Sequence, residues 1–164
     1  MPIPGLSTLG IEVGYAVVTS TASLPAQFTV LPRCNSADGI DMSTNSIDAS
    51  ALEDYVSQHV AGRSDIPETW GLVFNNTLDS RTAVSAMISA YQTSLSSDSN
   101  TLVCIEIYDP KDTSGAYFVF VQPPAALGMS ELSQNALKTF NVSNALVKVW
   151  GYDTGVAPDD GGSN

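Results

Sequence analysis

Apolar and polar positions alternate with period two at several places along the chain, and each such run predicts a strand. In residues 11–19, Ile11, Val13, Tyr15 and Val17 fall on one face and Glu12, Gly14, Ala16 and Val18 on the other. Residues 28–31 predict a second strand, closed by Pro32, and residues 70–75 a third, ended by Asn76-Thr77. The clearest hairpin pairs 101–108 with 116–122 through the turn-forming run Asp109-Pro110-Lys111-Asp112-Thr113-Ser114-Gly115. In its first strand Val103, Ile105 and Ile107 share one face, while Cys104 and Glu106 take the other; Pro123-Pro124 stops the second strand. A last pair of strands is predicted over 137–142 and 145–150.

The period changes once, clearly, to that of a helix. Val84, Met87, Ile88, Tyr91 and Leu95 stand at i, i+3, i+4, i+7 and i+11, with Arg81, Ser85, Ser89 and Gln92 turned away. Asp79 or Ser80 is the expected cap, and 94–100 the polar loop that follows. Elsewhere the pattern is weak. Residues 1–10, with two prolines and two glycines, predict an extended arm. Residues 35–50 are polar and turn-rich, 51–60 predict a short helix capped by Asp48 or Ser50, and 61–67 a loop. From Gly151 on, Gly and Asp dominate, and a mobile tail is expected. Strands, one good helix and more strands make a mainly β fold, a β-sandwich or partly closed barrel with one flanking α-helix. The expected organisation is an arm over 1–10, a single domain over 11–151 and a tail over 152–164.

Composition narrows the function. With 164 residues, one core is expected, large enough to need no metal or disulfide staple. Acidic residues outnumber basic ones 17 to 6, for a formal net charge of −11. Three lysines and three arginines are a poor basis for contacts to phosphate, and an anionic membrane would repel the chain. No apolar run is long enough to span a bilayer, and Met1–Ser7 has neither a basic nor a long apolar stretch, so no signal peptide is expected. Cys34 and Cys104 are therefore expected to be reduced.

Catalytic chemistry needs a constellation, and none is legible. His59, the single histidine, has no orienting partner or nucleophile at helical spacing. Asp38, Asp41 and Asp48 lack the spacing and the closing Glu of a calcium loop. No enzyme activity, metal or cofactor is expected. Trp70 and Trp150 stand at strand ends, where they serve either the core or an interface.

Ile47-Asp48-Ala49-Ser50-Ala51-Leu52-Glu53-Asp54, followed by Val60-Ala61-Gly62-Arg63-Ser64-Asp65 and the run to Trp70, resembles the major tail tube proteins of long-tailed, siphovirus-type bacteriophages. The order of strand, turn and strand up to Gly151 is similar as well, so the resemblance spans 11–151. It implies hexameric rings stacked into a hollow tube, with loops and terminal arms bridging the rings. DNA would pass through the lumen as transient cargo, with no catalytic residue and no cofactor. Implied partners are other copies of the chain and the tape measure, terminator and distal tail proteins of a virion made in the host cytoplasm. The charge agrees with this, because an acidic lumen repels DNA and keeps it from sticking. Glu12 and Glu106 are the lumen-facing candidates; Asp48, Glu53, Asp54, Arg63, Trp70 and Trp150 are the inter-subunit ones. The strands carry few charges to protect their edges, as expected of edges used for pairing between subunits. The alternatives are a phage head–tail joining or terminator protein and a carbohydrate-binding β-sandwich.

Overall fold

A computed structural model describes residues 10–48, 59–129, 132–134 and 138–159, with 43–48 and 59–65 described as backbone. Nine strands and one α-helix follow in the order β1 (Glu12–Val18), β2 (Thr29–Val30), β3 (Cys34–Ala37), β4 (Ser43–Asp48), β5 (His59–Asp65), β6 (Thr69–Asn75), α1 (Leu78–Ser97), β7 (Leu102–Tyr108), β8 (Ala116–Gln122) and β9 (Thr139–Asp153). Seven strands form one antiparallel sheet in the order β2-β1-β7-β8-β9-β6-β3, and β4 and β5 pair as a separate two-stranded sheet. The expected class holds: the fold is mainly β, with a single helix among the described residues.

The sheet curls because β9 is shared. Its first half, Thr139 to Ala145, pairs with β6, and its second half, from Ala145 to Asp153, pairs with β8. Two register shifts in the β8–β9 ladder add local twist. The far edges, β1–β2 and β3, are thereby brought to opposite sides of one cavity, lined by Ile11, Val13 and Ile107 on one side and Cys34 to Ala37 on the other. They do not pair there, so the barrel is only partly closed. The link between β2 and β3 runs through Arg33, whose φ of 63° supplies the left-handed turn residue.

Alternation along the sheet builds two apolar layers. On one face Val13, Val103, Ile105, Val119 and Val121 join Leu72, Phe74, Phe140 and Val142 and the helix residues Val84, Met87, Ile88 and Tyr91. Phe74 and Phe140 are direct cross-strand partners and stack at 5.4 Å. On the opposite face Leu102, Cys104, Ala116, Phe118 and Phe120 pack with Phe28. β7 and β8 are thus buried on both sides, which explains their nearly unbroken apolar sequence.

Four elements differ from the sequence expectation. Residues 35–50 are not one loop, since they contain β3 and β4. Residues 61–65 are strand, not loop, and His59 and Val60, expected at a helix end, begin that strand; 51–58, the rest of the expected helix, lie outside the described residues. The final pair of strands is one continuous strand of 15 residues. Asn144, its sixth residue, is buried and donates to the Trp70 carbonyl, so a polar residue that reads as a break sits inside the ladder. The helix runs on to Ser97, and its cap is Thr77, not Asp79 or Ser80. Thr77 Oγ1 accepts from the Ser80 backbone and Ser80 Oγ accepts from the Thr77 N–H, a reciprocal capping box. Thr77→Ala is expected to destabilise the protein by about 1 kcal/mol in urea unfolding, whereas Thr77→Ser stays close to wild type.

Candidate functional site

The surfaces open to other molecules are the sites to consider. The first is the open side of the curled sheet. A groove of about 740 Å³ is lined by Ile11, Ile40, Met42, Tyr117, Trp150 and Tyr152, with Asp38 and Asp109 adding carboxylates. Ile11, Met42 and Tyr152 are exposed, Tyr152 by 75%. Tyr152 meets Tyr117 edge to face at 4.8 Å.

Both tryptophans line this groove, in different ways. Trp70 is buried, 2% exposed, and its Nε1–H donates to the Asp38 carbonyl at 2.8 Å. Asp38 is tied to the same strand twice more, by Asp38 N–H to the Gly71 carbonyl and Gly71 N–H to Asp38 Oδ2. Trp70 is therefore a core residue that anchors the segment leading to β4, rather than an exposed interface anchor. Trp150 is half-buried, donates through Nε1 to Asp153 Oδ2 at 3.0 Å, and carries the Lys148 ammonium 5.4 Å from its ring centre. Those hydrogen bonds from Trp150 and from the Thr154 N–H hold the Asp153 carboxyl below its usual range.

The second surface is the paired β4–β5, whose strands antiparallel from Ser43↔Asp65 to Asp48↔His59 stand apart from the main sheet. Asp48 ends β4 and Arg63 lies in β5; Glu53 and Asp54 lie outside the described residues. The two sheet edges are the third: β2, two residues long, and β3, four residues with exposed Asn35, Ser36 and Ala37.

The two acidic candidates part company. Glu12 is exposed at the start of β1. Glu106 is 0% exposed and faces no open surface of this chain, because residues 154–159 lie across it. Period-two reasoning places Glu106 correctly, opposite Val103, Ile105 and Ile107; what it lacks is the cover supplied by an expected tail. That cover is not free: Gly155 N–H donates to the Thr113 carbonyl, Asp159 N–H to the Phe28 carbonyl, and Val30 N–H to the Asp159 carbonyl. Residues 151–153, assigned to the same tail, belong to β9.

Both cysteines are free, and burial pushes their thiols up, Cys34 to about 11 and Cys104 to about 12, with the Glu106 carboxylate adding to the shift at Cys104. Thiols so placed are protonated and unreactive at neutral pH. Among the described residues no three His, Cys, Asp or Glu side chains cluster as metal ligands would, and no helix is long and apolar enough to cross a membrane.

No protein-family model matches the chain, and no curated protein matches it. Solved structures do. A chain of the anti-feeding prophage baseplate, symmetrised sixfold, superposes with a TM-score of 0.55 at 11% identity, over 91% of this chain and 95% of that one. A chain of the tail of an empty gene transfer agent particle, refined helically with C6 symmetry, gives 0.52 at 9% identity, over 89% and 96%. A chain of the native gene transfer agent virion gives 0.51 at 12% identity, over 88% and 95%. Nearly the whole of each chain is matched, at identities where only the fold is shared: this protein has the fold of chains found in phage-like tails and baseplates.

Proposed function

We propose that this chain is a structural, non-enzymatic subunit of a phage-type tail tube, of the long-tailed siphovirus kind, located in the virion. Copies form hexameric rings that stack into a hollow conduit for DNA ejection. The observation that carries this reading is the end-to-end likeness to chains of the anti-feeding prophage baseplate and of the gene transfer agent tail, two structures described with sixfold symmetry. Three features of this chain support it. Its charge of −11 suits a bore that must not hold DNA, and exposed Glu12 is the lumen-facing candidate that remains at the surface. The short strands β2 and β3 leave edges for pairing between subunits. The β4–β5 pair is a sheet separate from the main one, and the inter-subunit candidates Asp48 and Arg63 belong to its strands. Tape measure, terminator and distal tail proteins would meet the ends of the tube.

Negative-stain electron microscopy of the purified chain tests this, over a range of concentration and ionic strength. Salt screens repulsion between acidic subunits over about 10 Å at 0.1 M, so assembly is expected to increase with salt. Hollow tubes of uniform width are the expected result; monomers under every condition would remove the tube reading. A second reading, a ring that ends a tube, is favoured by the likeness to the anti-feeding prophage baseplate and to that particle's tube-terminating cap, the latter at a TM-score of 0.50 and 12% identity. Isolated rings that never lengthen would select it.

A further inference from the structure

Glu106 is the one acidic side chain fully buried among the described residues, and it has no cation beside it. It lies on the face of β7 that Cys104 and Tyr108 share, between Gly14 of β1 and Phe118 of β8. Oε2 accepts a 2.8 Å hydrogen bond from the Val156 N–H; Oε1 has no partner. A carboxylate in such a place is costly in its charged form.

The segment above it is fitted closely to the sheet. A Cβ on Gly155 would stand 2.5 Å from Ala116 Cβ, 2.7 Å from Tyr108 Cδ2 and 3.1 Å from Glu106 Oε2. Pro158 lies tightly over Gly14, where a Cβ would meet Pro158 Cγ at 3.0 Å. Yet residues 154–159 have no ladder of their own apart from one parallel bridge, Thr29↔Asp159. Among the described residues five hydrogen bonds hold them, and two of these go to side chains of the sheet: Thr154 N–H to its chain neighbour Asp153, and Val156 N–H to Glu106, the one such bond made to a strand distant in sequence.

We infer that Glu106 is the latch of a releasable C-terminal strap: with its proton on, residues 154–159 stay closed on the sheet, and with its proton lost they open and uncover the apolar face around Tyr108, Ala116 and Phe118. Opening lets water reach the ionised carboxylate, which is what ionisation demands. The direction of titration agrees. Burial pushes the Glu106 carboxyl up to about 7; the Val156 N–H opposes this, and the carboxylate of Glu12, two residues along the same face of β1, adds to it. The other ionisable groups nearby are Cys104 and Tyr108 on β7, Asp112 beside Gly115, and Asp153 and Asp159 at the ends of the strap, none of them a cation. The 19–28 loop on this face carries no ionisable side chain, and Lys148 is engaged with the Thr21 carbonyl and the Trp150 ring.

Below the ordinary carboxyl value near 4.5 the group is neutral whether the strap is open or closed, so closure is at full strength. As pH rises from there through about 7, only the open form gains by ionising, and closure weakens until it levels off. This inference concerns the free chain and does not rest on the tube reading.

Hydrogen–deuterium exchange on the full chain between pH 4.5 and 8 tests it, with each amide's rate divided by its intrinsic rate at that pH. Protection of Gly155, Val156 and Asp159 is expected to fall at least tenfold across the range, while β7 and β8 amides hold steady. Glu106→Gln, which keeps the shape and removes the titration, is expected to flatten the profile. Equal profiles in wild type and Glu106→Gln would overturn the latch. Should that variant not fold, the carbon-13 carboxyl titration of Glu106 in the wild-type protein decides: a midpoint shared with the strap amides supports the latch, and a midpoint near 4.5 overturns it.

Discussion

Trp70→Ala is expected to destabilise the protein by about 3–5 kcal/mol, a large part of the roughly 5–15 kcal/mol that holds a domain of this kind together. Trp70 is 2% exposed, and its ring fills the core between β6 and the groove. Removing it leaves a large cavity and also strips the Asp38 carbonyl of its Nε1–H donor. The damage should extend beyond the core, because Asp38 fastens the chain between β3 and β4 to the backbone of Gly71. Trp70→Phe separates the two effects. It keeps most of the packing and loses only the hydrogen bond, so a cost of about 1–2 kcal/mol is expected. Urea unfolding of the three proteins measures both. A Trp70→Ala loss below about 1 kcal/mol would mean that the ring is not buried as described.

Trp70 also marks where the sequence is legible and where it is not. β6 is readable because it buries alternate side chains and so leaves a period-two sequence, β1 because its sequence alternates in the same way, and β7 and β8 because burial on both faces leaves nearly unbroken apolar runs. The helix is readable for the same reason, with Val84, Met87, Ile88 and Tyr91 all turned to the core. Leu95, in the same stripe, lies near the helix end and is 37% exposed. β3 and β4, with sequences CNSA and STNSID, have no such stripe, since β3 is an edge and β4 pairs only with β5. An edge strand such as β3, with three of its four residues exposed, leaves little pattern, and Asn, Ser and Asp in the two sequences read as turns. β9 is hidden differently. Ser143 is exposed and Asn144 is buried against the Trp70 carbonyl, so the alternation persists but in polar residues. The cap is missed by one turn position: Thr77 and Ser80 form the box, and Asp79, the stronger capping type, sits between them.

Of the candidate sites, the two acids show the limit most clearly. Sequence reasoning puts Glu12 and Glu106 each on the face of its own strand away from the main apolar stripe; the structure makes the two strands neighbours, with Glu12 opposite Tyr108 and Gly14 opposite Glu106. What separates an exposed acid from a buried one is a contact 50 residues away in sequence, between Glu106 and Val156. The covering residues Thr154-Gly155-Val156-Ala157-Pro158 have a loop's composition, and nothing local announces that they dock. Their fit comes from glycines, Gly155 on the strap, where a Cβ would collide with the side chains of Ala116 and Tyr108, and Gly14 on the sheet, where one would press on those of Phe28 and Pro158.

That fit makes Gly155→Val the second substitution with a large expected effect. The added side chain would press on Ala116 and Tyr108, which are 0% and 8% exposed and part of the sheet, so the strap must yield rather than the sheet. A global loss of about 1–3 kcal/mol is expected, in the range for overpacked sites. Exchange should report more, with the amides of Val156 and Asp159 losing their protection almost entirely while β7 and β8 keep theirs. Gly39→Ala is the control: nothing lies within 4 Å of a Cβ there, and a change within about 0.5 kcal/mol is expected. With the strap lifted, Glu106 meets water and loses the burial that raises its pKa, so its titration should return toward the ordinary value near 4.5. The two readouts must move together if the strap is what buries the carboxyl. Strap amides freed in Gly155→Val with a Glu106 titration still near 7 would place the cause of its burial in the sheet itself.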